Sequence, residues 1–264
     1  MKASALEFRL RFLIFVVIYL LGFIAPWDSL LHLDSIRTWQ YLAAWPARSG
    51  WLGFSAATIL VLVLGIVCAV AGALLRTSGS AYLDPFIVHA GAMHGEGIVA
   101  AGPYRYLRNP LYLGTLVHTF ALALLMPPSG AIFCILAVAF FQLRLILAEE
   151  SFLTAKLGAP YLDYCAKVPR LFPSFTARTP APPMRPARSS WPTAFFSEIY
   201  MWGVAISFAA LGWRYNSVLI IKGVLISLGL SLIVRAFLKP VPSKPREFRD
   251  SPDSSADRTD DLRL

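Results

Sequence analysis

The chain has 264 residues and a formal net charge of +9; 57% of its residues are hydrophobic, only 15% are charged, and the mean hydropathy is +0.61. A soluble domain is roughly half apolar and about a quarter charged, so this composition excludes an ordinary soluble enzyme, a disordered chain and a secreted disulfide scaffold. An integral membrane protein remains, and the three cysteines (Cys68, Cys134, Cys165) lack the spacing of a metal site.

A helix that crosses a hydrocarbon core about 30 Å thick needs about 20 mostly apolar residues. Residues 10–25 form the first such run. No small-residue cleavage site follows it, so it is expected to stay in the protein as a helix and not to leave as a signal peptide. The next loop holds Trp27, Trp39, Trp45 and Trp51, whose rings suit a membrane interface. Residues 54–75 form the second span. The third, 111–126, and the fourth, 131–147, are separated only by Pro127-Pro128-Ser129-Gly130, which predicts a tight helical hairpin. Residues 180–192 look like a linker. A fifth span, 194–211, lies between Trp191 and Trp213, and a sixth covers 218–238. The tail from Lys239, rich in Pro, Ser, Asp and Arg, is expected to be disordered. The expected fold class is therefore all-α: a polytopic membrane protein with about six transmembrane helices. Its regions are 1–95 (N-terminal helices), 96–175 (a region containing the hairpin), 176–193 (linker), 194–238 (C-terminal helices) and 239–264 (tail).

Six spans put both termini on one side, and the basic residues say which. One side keeps Arg37, Arg48 and Arg214, Lys222 lies within span six, and the remaining Lys and Arg residues fall on the other side. The positive-inside rule makes that crowded side cytoplasmic. The expected localisation is multi-pass integral membrane with both termini cytoplasmic, the inner membrane if the source is a bacterium. The basic residues follow loops and do not form a groove-sized patch, so attraction to anionic lipid accounts for them and no nucleic-acid partner is expected.

Two cytoplasmic segments carry chemistry. The first runs from Gly102-Pro103-Tyr104 through Arg105, Tyr106, Arg108, Asn109, Pro110 and Tyr112 to Gly114. Pro110 fits the first turn of span three and Asn109 its N-cap. The free N–H groups of that helix start suit an anionic group. The second segment begins with Glu149-Glu150 and continues through Leu157-Gly158, Tyr161 and Tyr164 to Val168-Pro169-Arg170. Two adjacent acids at a helix C-terminus run against the helix dipole. The short hairpin makes the two segments neighbours. Gln142 shares a helical face with Leu145 and Glu149, Arg144 lies within reach of the inner surface, and His118 is expected to be a packed polar residue and not a ligand.

The pattern Gly-Pro-Tyr-x-Tyr-x-Arg-Asn-Pro-x-Tyr-x-Gly, then a hairpin, then Glu-Glu-x-x-Leu-x-x-x-Leu-Gly-x-x-Tyr-x-x-Tyr-x-x-x-Val-Pro-Arg, resembles the isoprenylcysteine carboxyl methyltransferase and phospholipid methyltransferase group of membrane enzymes. The likeness covers residues 96–173. It implies an S-adenosylmethionine-dependent methyltransferase with a cofactor site on the cytoplasmic face, held by Glu96, Gly97, Ile98, Val99, Tyr104, Asn109, Pro110, Leu111, Tyr112 and Glu149. Arg108, Arg144 and Glu150 are the implied catalytic residues, and no metal is implied. Asn109 stands where the family more usually has His; an amide can hydrogen-bond but cannot act as a base. The implied partner is a lipid or lipidated acceptor from the inner leaflet, either an isoprenylcysteine-like carboxylate or a phospholipid amine. Two other readings compete. An NADPH-dependent sterol-type reductase would carry Asn-Tyr-x-Gly-Glu after the Pro, whereas here Leu111 precedes Tyr112 and Thr115 follows Gly114. A non-enzymatic scaffold or transport component would pair polar groups across two halves, and His118, Gln142 and Lys222 are not so matched.

Overall fold

The computed structural model describes residues 2–24, 36–83, 97–178 and 190–237. Glu96, Trp27, most of the predicted linker and the tail fall outside the described residues. Among the described residues the fold is all-helical, with no strand. In chain order the α-helices are α1 (Ala5–Arg9), α2 (Arg11–Ile24), α3 (Thr38–Arg48), α4 (Phe54–Tyr82), α5 (Pro110–Ala123), α6 (Pro128–Leu157), α7 (Ala159–Lys167), α8 (Trp191–Ser197), α9 (Ile199–Leu211) and α10 (Ser217–Phe237).

Each predicted span falls on helix, the fifth on two helices, α8 and α9, but not each helix is long enough to cross a bilayer. Three are, by length and apolar composition: Phe54–Tyr82, Pro128–Leu157 and Ser217–Val234. α8 and α9 pass only together, and they are bent by 68° at their junction. Length and composition therefore support three spans, or four with the bent pair. α2 and α5 have 14 residues each, about 21 Å of helix at 1.5 Å per residue, short of the hydrocarbon thickness. Two boundaries move as well. α4 and α6 run on to Tyr82 and Leu157, beyond the predicted ends at 75 and 147. The loop of Trp residues contains the helix α3, which carries Pro46 in its interior.

α4 is the centre of the bundle and packs against α3, α5, α8 and α9. Its closest approach, to α5, is built on glycine. A Cβ added to Gly72 would sit 2.9 Å from the Gly114 carbonyl oxygen, and one added to Gly114 would sit 3.0 Å from the Gly72 carbonyl oxygen. Gly65 and Gly79, one heptad either side of Gly72, make room for side chains instead: Leu124 and Phe208 against Gly65, and Leu111 against Gly79. Lipid provides no hydrophobic force between helices, so close backbone packing over small residues must hold them together. Gly72→Ala is accordingly expected to prise α4 from α5 at a cost of about 1–3 kcal/mol, read as a lower melting temperature in detergent. Exposed Leu60, Leu64, Val67, Leu136, Phe140 and Ile226 give the outer surface its apolar character.

α5 and α6 form the predicted hairpin, joined through a short turn at Leu124–Pro127. α3 is fastened to this turn, since Thr38 and Trp39 donate their N–H groups to the carbonyls of Met126 and Leu124. Arg37 thus sits at the turn end of the bundle. The start of α5 and the Glu149–Glu150 part of α6 lie together at the opposite end.

Candidate active site

The segment before α5 is shaped by its glycine and tyrosines. Gly102 has φ +55° and lies under the Tyr82 ring, where any Cβ would collide. A short 3₁₀ turn, Gly102–Arg105, then buries Tyr104, whose hydroxyl donates to the Gly79 carbonyl at 3.3 Å. Burial, with help from neighbouring Tyr164, raises the Tyr104 phenol well above its ordinary pKa, so it remains a neutral donor. The Val168-Pro169-Arg170 strip folds back along this segment. Arg108 donates its N–H to the Pro169 carbonyl at 2.8 Å, and Ser174 donates to Tyr106, also at 2.8 Å. Tyr164 donates its hydroxyl to the Tyr104 carbonyl at 2.8 Å. Ile98, Ala100, Tyr161, Tyr164 and Val168 form a small separate core beneath them.

Pro110 opens α5 and Asn109 stands at its N-cap, as the spacing predicts. The expected side-chain cap is not made. The Asn109 amide instead donates to the Arg170 carbonyl at 3.1 Å and to Glu150 Oε1 at 3.4 Å. The reason is that α6 continues two turns past the paired acids and presents a buried carboxylate opposite the start of α5. Glu150, 8% exposed, is surrounded by donors. Arg170 Nε and Nη2 reach its Oε2 at 3.0 and 2.7 Å, and Arg108 Nη1 lies 3.4 Å from Oε1. The hydrogen bond to Glu150 raises the Arg170 pKa further, so this guanidinium stays charged at any physiological pH. Glu149, only half-buried, takes a different partner: the Tyr112 hydroxyl donates to its Oε1 at 2.9 Å. Adjacent residues on one helix thus have separate jobs. Glu150 ties the chain segments together, and Glu149 is turned toward open space.

That space is a cavity of about 220 Å³. Gly97, Ile98, Val99, Tyr104, Arg108, Asn109, Pro110, Leu111, Tyr112, Glu149 and Glu150 all line it. Of the residues singled out from the sequence, Glu96 lies outside the described residues, and Arg144 stands apart from the cavity. Arg144 Nη2 reaches Glu7 Oε2 at 2.8 Å, and its backbone carbonyl accepts from the Ala3 N–H at 3.1 Å. Sequence reasoning missed a whole wall. Phe8, Arg11, Phe12 and Phe15 from α1 and α2 line the cavity, as do Arg76 and Thr115. In the sequence, Arg11 and Arg76 read only as two of the basic residues on the crowded side. Their tell-tale is the burial of a cation inside an otherwise apolar helix, which one sequence does not display.

His118 is 1% exposed and meets Tyr200 edge-on at 5.6 Å, outside the cavity lining. Among the described residues no three His, Cys, Asp or Glu side chains are grouped as metal ligands.

The lining suits a zwitterionic cofactor. Glu149 offers a carboxylate with a single neutral donor on it, fit for a cationic amino group. Arg108 Nε is buried with no hydrogen-bond partner, and an orphaned guanidinium N–H is a ready donor to a carboxylate.

Comparison with known proteins bears on the same part of the chain. Residues 55–159 match the phospholipid methyltransferase family. A curated relative, the protein-S-isoprenylcysteine O-methyltransferase A of Arabidopsis thaliana, is 29% identical over 111 residues, covering 39% of this chain and 55% of the relative. The aligned region is thus about half the length of the curated relative. No solved structure matches. The matched segment holds the hairpin, the start of α5 and both glutamates, and over that segment the chain is similar to the membrane methyltransferase group that includes the phospholipid and isoprenylcysteine enzymes.

Proposed function

We propose that the protein is an S-adenosylmethionine-dependent methyltransferase acting on a lipophilic acceptor. The observation that carries this reading is the pairing of unlike groups in one cavity: Glu149, held by Tyr112, and Arg108 with its unpartnered Nε. Glu149 would hold the cofactor's amino group, and Arg108 with the start of α5 would hold its carboxylate. Gly97, Ile98 and Val99 would border the remainder. When bound, that cofactor supplies a methyl carbon on a sulfonium sulfur, and such transfer depends on in-line approach and exclusion of water. The chain's part is to position and to keep dry. Tyr104, Tyr161 and Tyr164 line the cavity with aromatic rings, and the absence of His at position 109 favours an acceptor that needs no base. Glu150 contributes by fixing Arg108 and Asn109 in place.

The distribution of basic residues supports a cytoplasmic location for this end of the bundle and for both termini. The acceptor would then enter from the inner leaflet and the cofactor from the cytosol.

Equilibrium binding of S-adenosylhomocysteine to the purified protein, with NADPH in parallel, tests the reading. The expected result is micromolar binding of the first and none of the second. Glu149→Gln and Tyr112→Phe are each expected to weaken it about 10-fold or more, since a charge-assisted hydrogen bond contributes about 1.5–3 kcal/mol. Full binding by both folded variants would remove the site from this cavity.

A further inference from the structure

The cavity has a second face, built mainly by the N-terminal helices, which precede the segment that matches the methyltransferase family. Phe8, Arg11, Phe12 and Phe15 line it from the N-terminal helices, and Gln142 lines it from α6. Arg11 is buried, with its guanidinium 4.3 Å from the centre of the Phe8 ring and 4.8 Å from that of Phe12. One of its nitrogens, Nη1, donates to the Phe8 carbonyl at 3.0 Å. Gln142 is 3% exposed, and its Nε2 has no hydrogen-bond partner. A buried amide nitrogen without an acceptor costs free energy that a ligand oxygen would return.

This face is held in register by a clasp. Lys2 Nζ reaches Ser151 Oγ at 2.7 Å, Glu7 accepts from Arg144, and the Ala3 N–H bonds to the Arg144 carbonyl. All three contacts join the start of the chain to α6 within two turns of Glu149. Arg144 thereby fixes α1, and with it Phe8 and Arg11, against the cavity.

We propose that Arg11 and Gln142 form the headgroup subsite for the acceptor, and that its ligand is an amphiphile with one anionic headgroup, carboxylate or phosphate, on an apolar chain lying along Phe8, Phe12 and Phe15. A cationic guanidinium and an amide donor suit an oxyanion and disfavour an ammonium. The aromatic rings suit a hydrocarbon chain. The subsite rests on the methyltransferase reading for its place in a reaction, but its ligand chemistry is read from this wall alone. Arg144 is a positioning residue that acts through Glu7.

The test measures binding to the full-length protein in nanodiscs of zwitterionic lipid, without cofactor. The probes are palmitate, hexadecyl phosphate, hexadecylamine, acetate and inorganic phosphate. Palmitate or hexadecyl phosphate is expected to bind, and which of the two binds tighter identifies the headgroup. Arg11→Gln is expected to weaken that probe 10-fold or more, Arg11→Lys to restore part of the loss, and Gln142→Leu to weaken it several-fold. Affinity for S-adenosylhomocysteine should stay within about two-fold in Gln142→Leu, the control variant, because Arg11 also acts electrostatically on Glu149. Unchanged amphiphile binding in folded Arg11→Gln, a preference for hexadecylamine, or equal binding of acetate or inorganic phosphate would each overturn the proposal. If wild-type protein binds the anionic amphiphile but not S-adenosylhomocysteine, the methyltransferase reading fails and the subsite stands.

Discussion

Glu150→Gln is expected to lower the melting temperature of the ligand-free protein by about 6–12 °C, while Glu149→Gln leaves it near that of the wild type. The two acids are neighbours in sequence, yet their surroundings differ. Glu150 gathers two contacts from Arg170, one from Arg108 and one from Asn109. Removing its charge leaves the Arg108 side chain, 11% exposed, beside a neutral amide. Breaking a buried pair on one side costs about 3–5 kcal/mol. The lower end applies here, because the Arg170 side chain is 42% exposed and water can take over its charge. About 3 kcal/mol corresponds to about 2–4 °C per kcal/mol in a chain of this size. Glu149 carries one bond from a neutral hydroxyl and faces the cavity, so its amide can keep that bond. Thermal denaturation of the two variants in detergent, without cofactor, gives the comparison. Equal melting would mean that the ring around Glu150 holds nothing together. Unequal melting, with cofactor binding lost in Glu149→Gln, would assign anchoring to one acid and ligand contact to the other.

The helices were legible because a bilayer leaves few choices. A run of Leu, Val, Ile and Ala long enough to cross must satisfy its own backbone, and only a helix does so within one segment. The hairpin was legible because Pro127-Pro128 breaks the apolar run, although the turn itself falls at Leu124–Pro127 and Pro128, Ser129 and Gly130 open α6. Boundaries were less so. Polarity marks where a helix meets water, not where it ends, and α6 carries Glu149, Glu150 and Thr154 on past its apolar stretch. The same rule hid α3, whose Trp and Ala residues look like an interfacial loop but still form a helix fastened to the hairpin turn.

The site was legible where its residues are contiguous and obscure where they are distant. Motif spacing brought Tyr104, Arg108, Asn109, Tyr112, Glu149 and Glu150 to one place, and all six line the cavity. The roles within that set needed coordinates. Asn109 occupies the N-cap position but spends its amide on Arg170 and Glu150, because the strip ending at Arg170 folds back over it. Arg144, expected beside the chemistry, faces α1 because Glu7 comes to meet it. Nothing local to residue 144 announces a partner 137 positions away. The glycine seam of α4 is intermediate. Gly65, Gly72 and Gly79 recur every seven residues, a visible pattern whose partners, α5 for Gly72 and Gly79 but Leu124 and Phe208 for Gly65, only the packing reveals.

Glu198→Gln is expected to be the most damaging single change, costing about 3–5 kcal/mol and lowering the melting temperature by about 6–20 °C. Glu198 lies at the 68° bend between α8 and α9 and is 1% exposed. Its carboxylate takes Arg76 Nε at 2.7 Å and Nη2 at 2.8 Å, and Ser80 donates to it at 2.8 Å. The third nitrogen of Arg76 reaches Thr115 on α5 at 2.9 Å. One guanidinium therefore joins α4, α5 and the break in the C-terminal helix pair. Arg76 also lines the cavity, so this pair connects the cavity wall to helices that lie beyond the segment matching the family. Both partners are taken out of water, which makes the pair costly to build and costlier to break. A double variant that removes both charges separates the two effects. Arg76→Met with Glu198→Met is expected to recover most of the stability lost by Glu198→Gln, because no uncompensated charge remains. If the double variant melts as low as the single one, the lost contacts and not the stranded charge set the cost. If Glu198→Gln melts like the wild type, the bend is held by packing alone, and the C-terminal helices are not coupled to the cavity through Arg76.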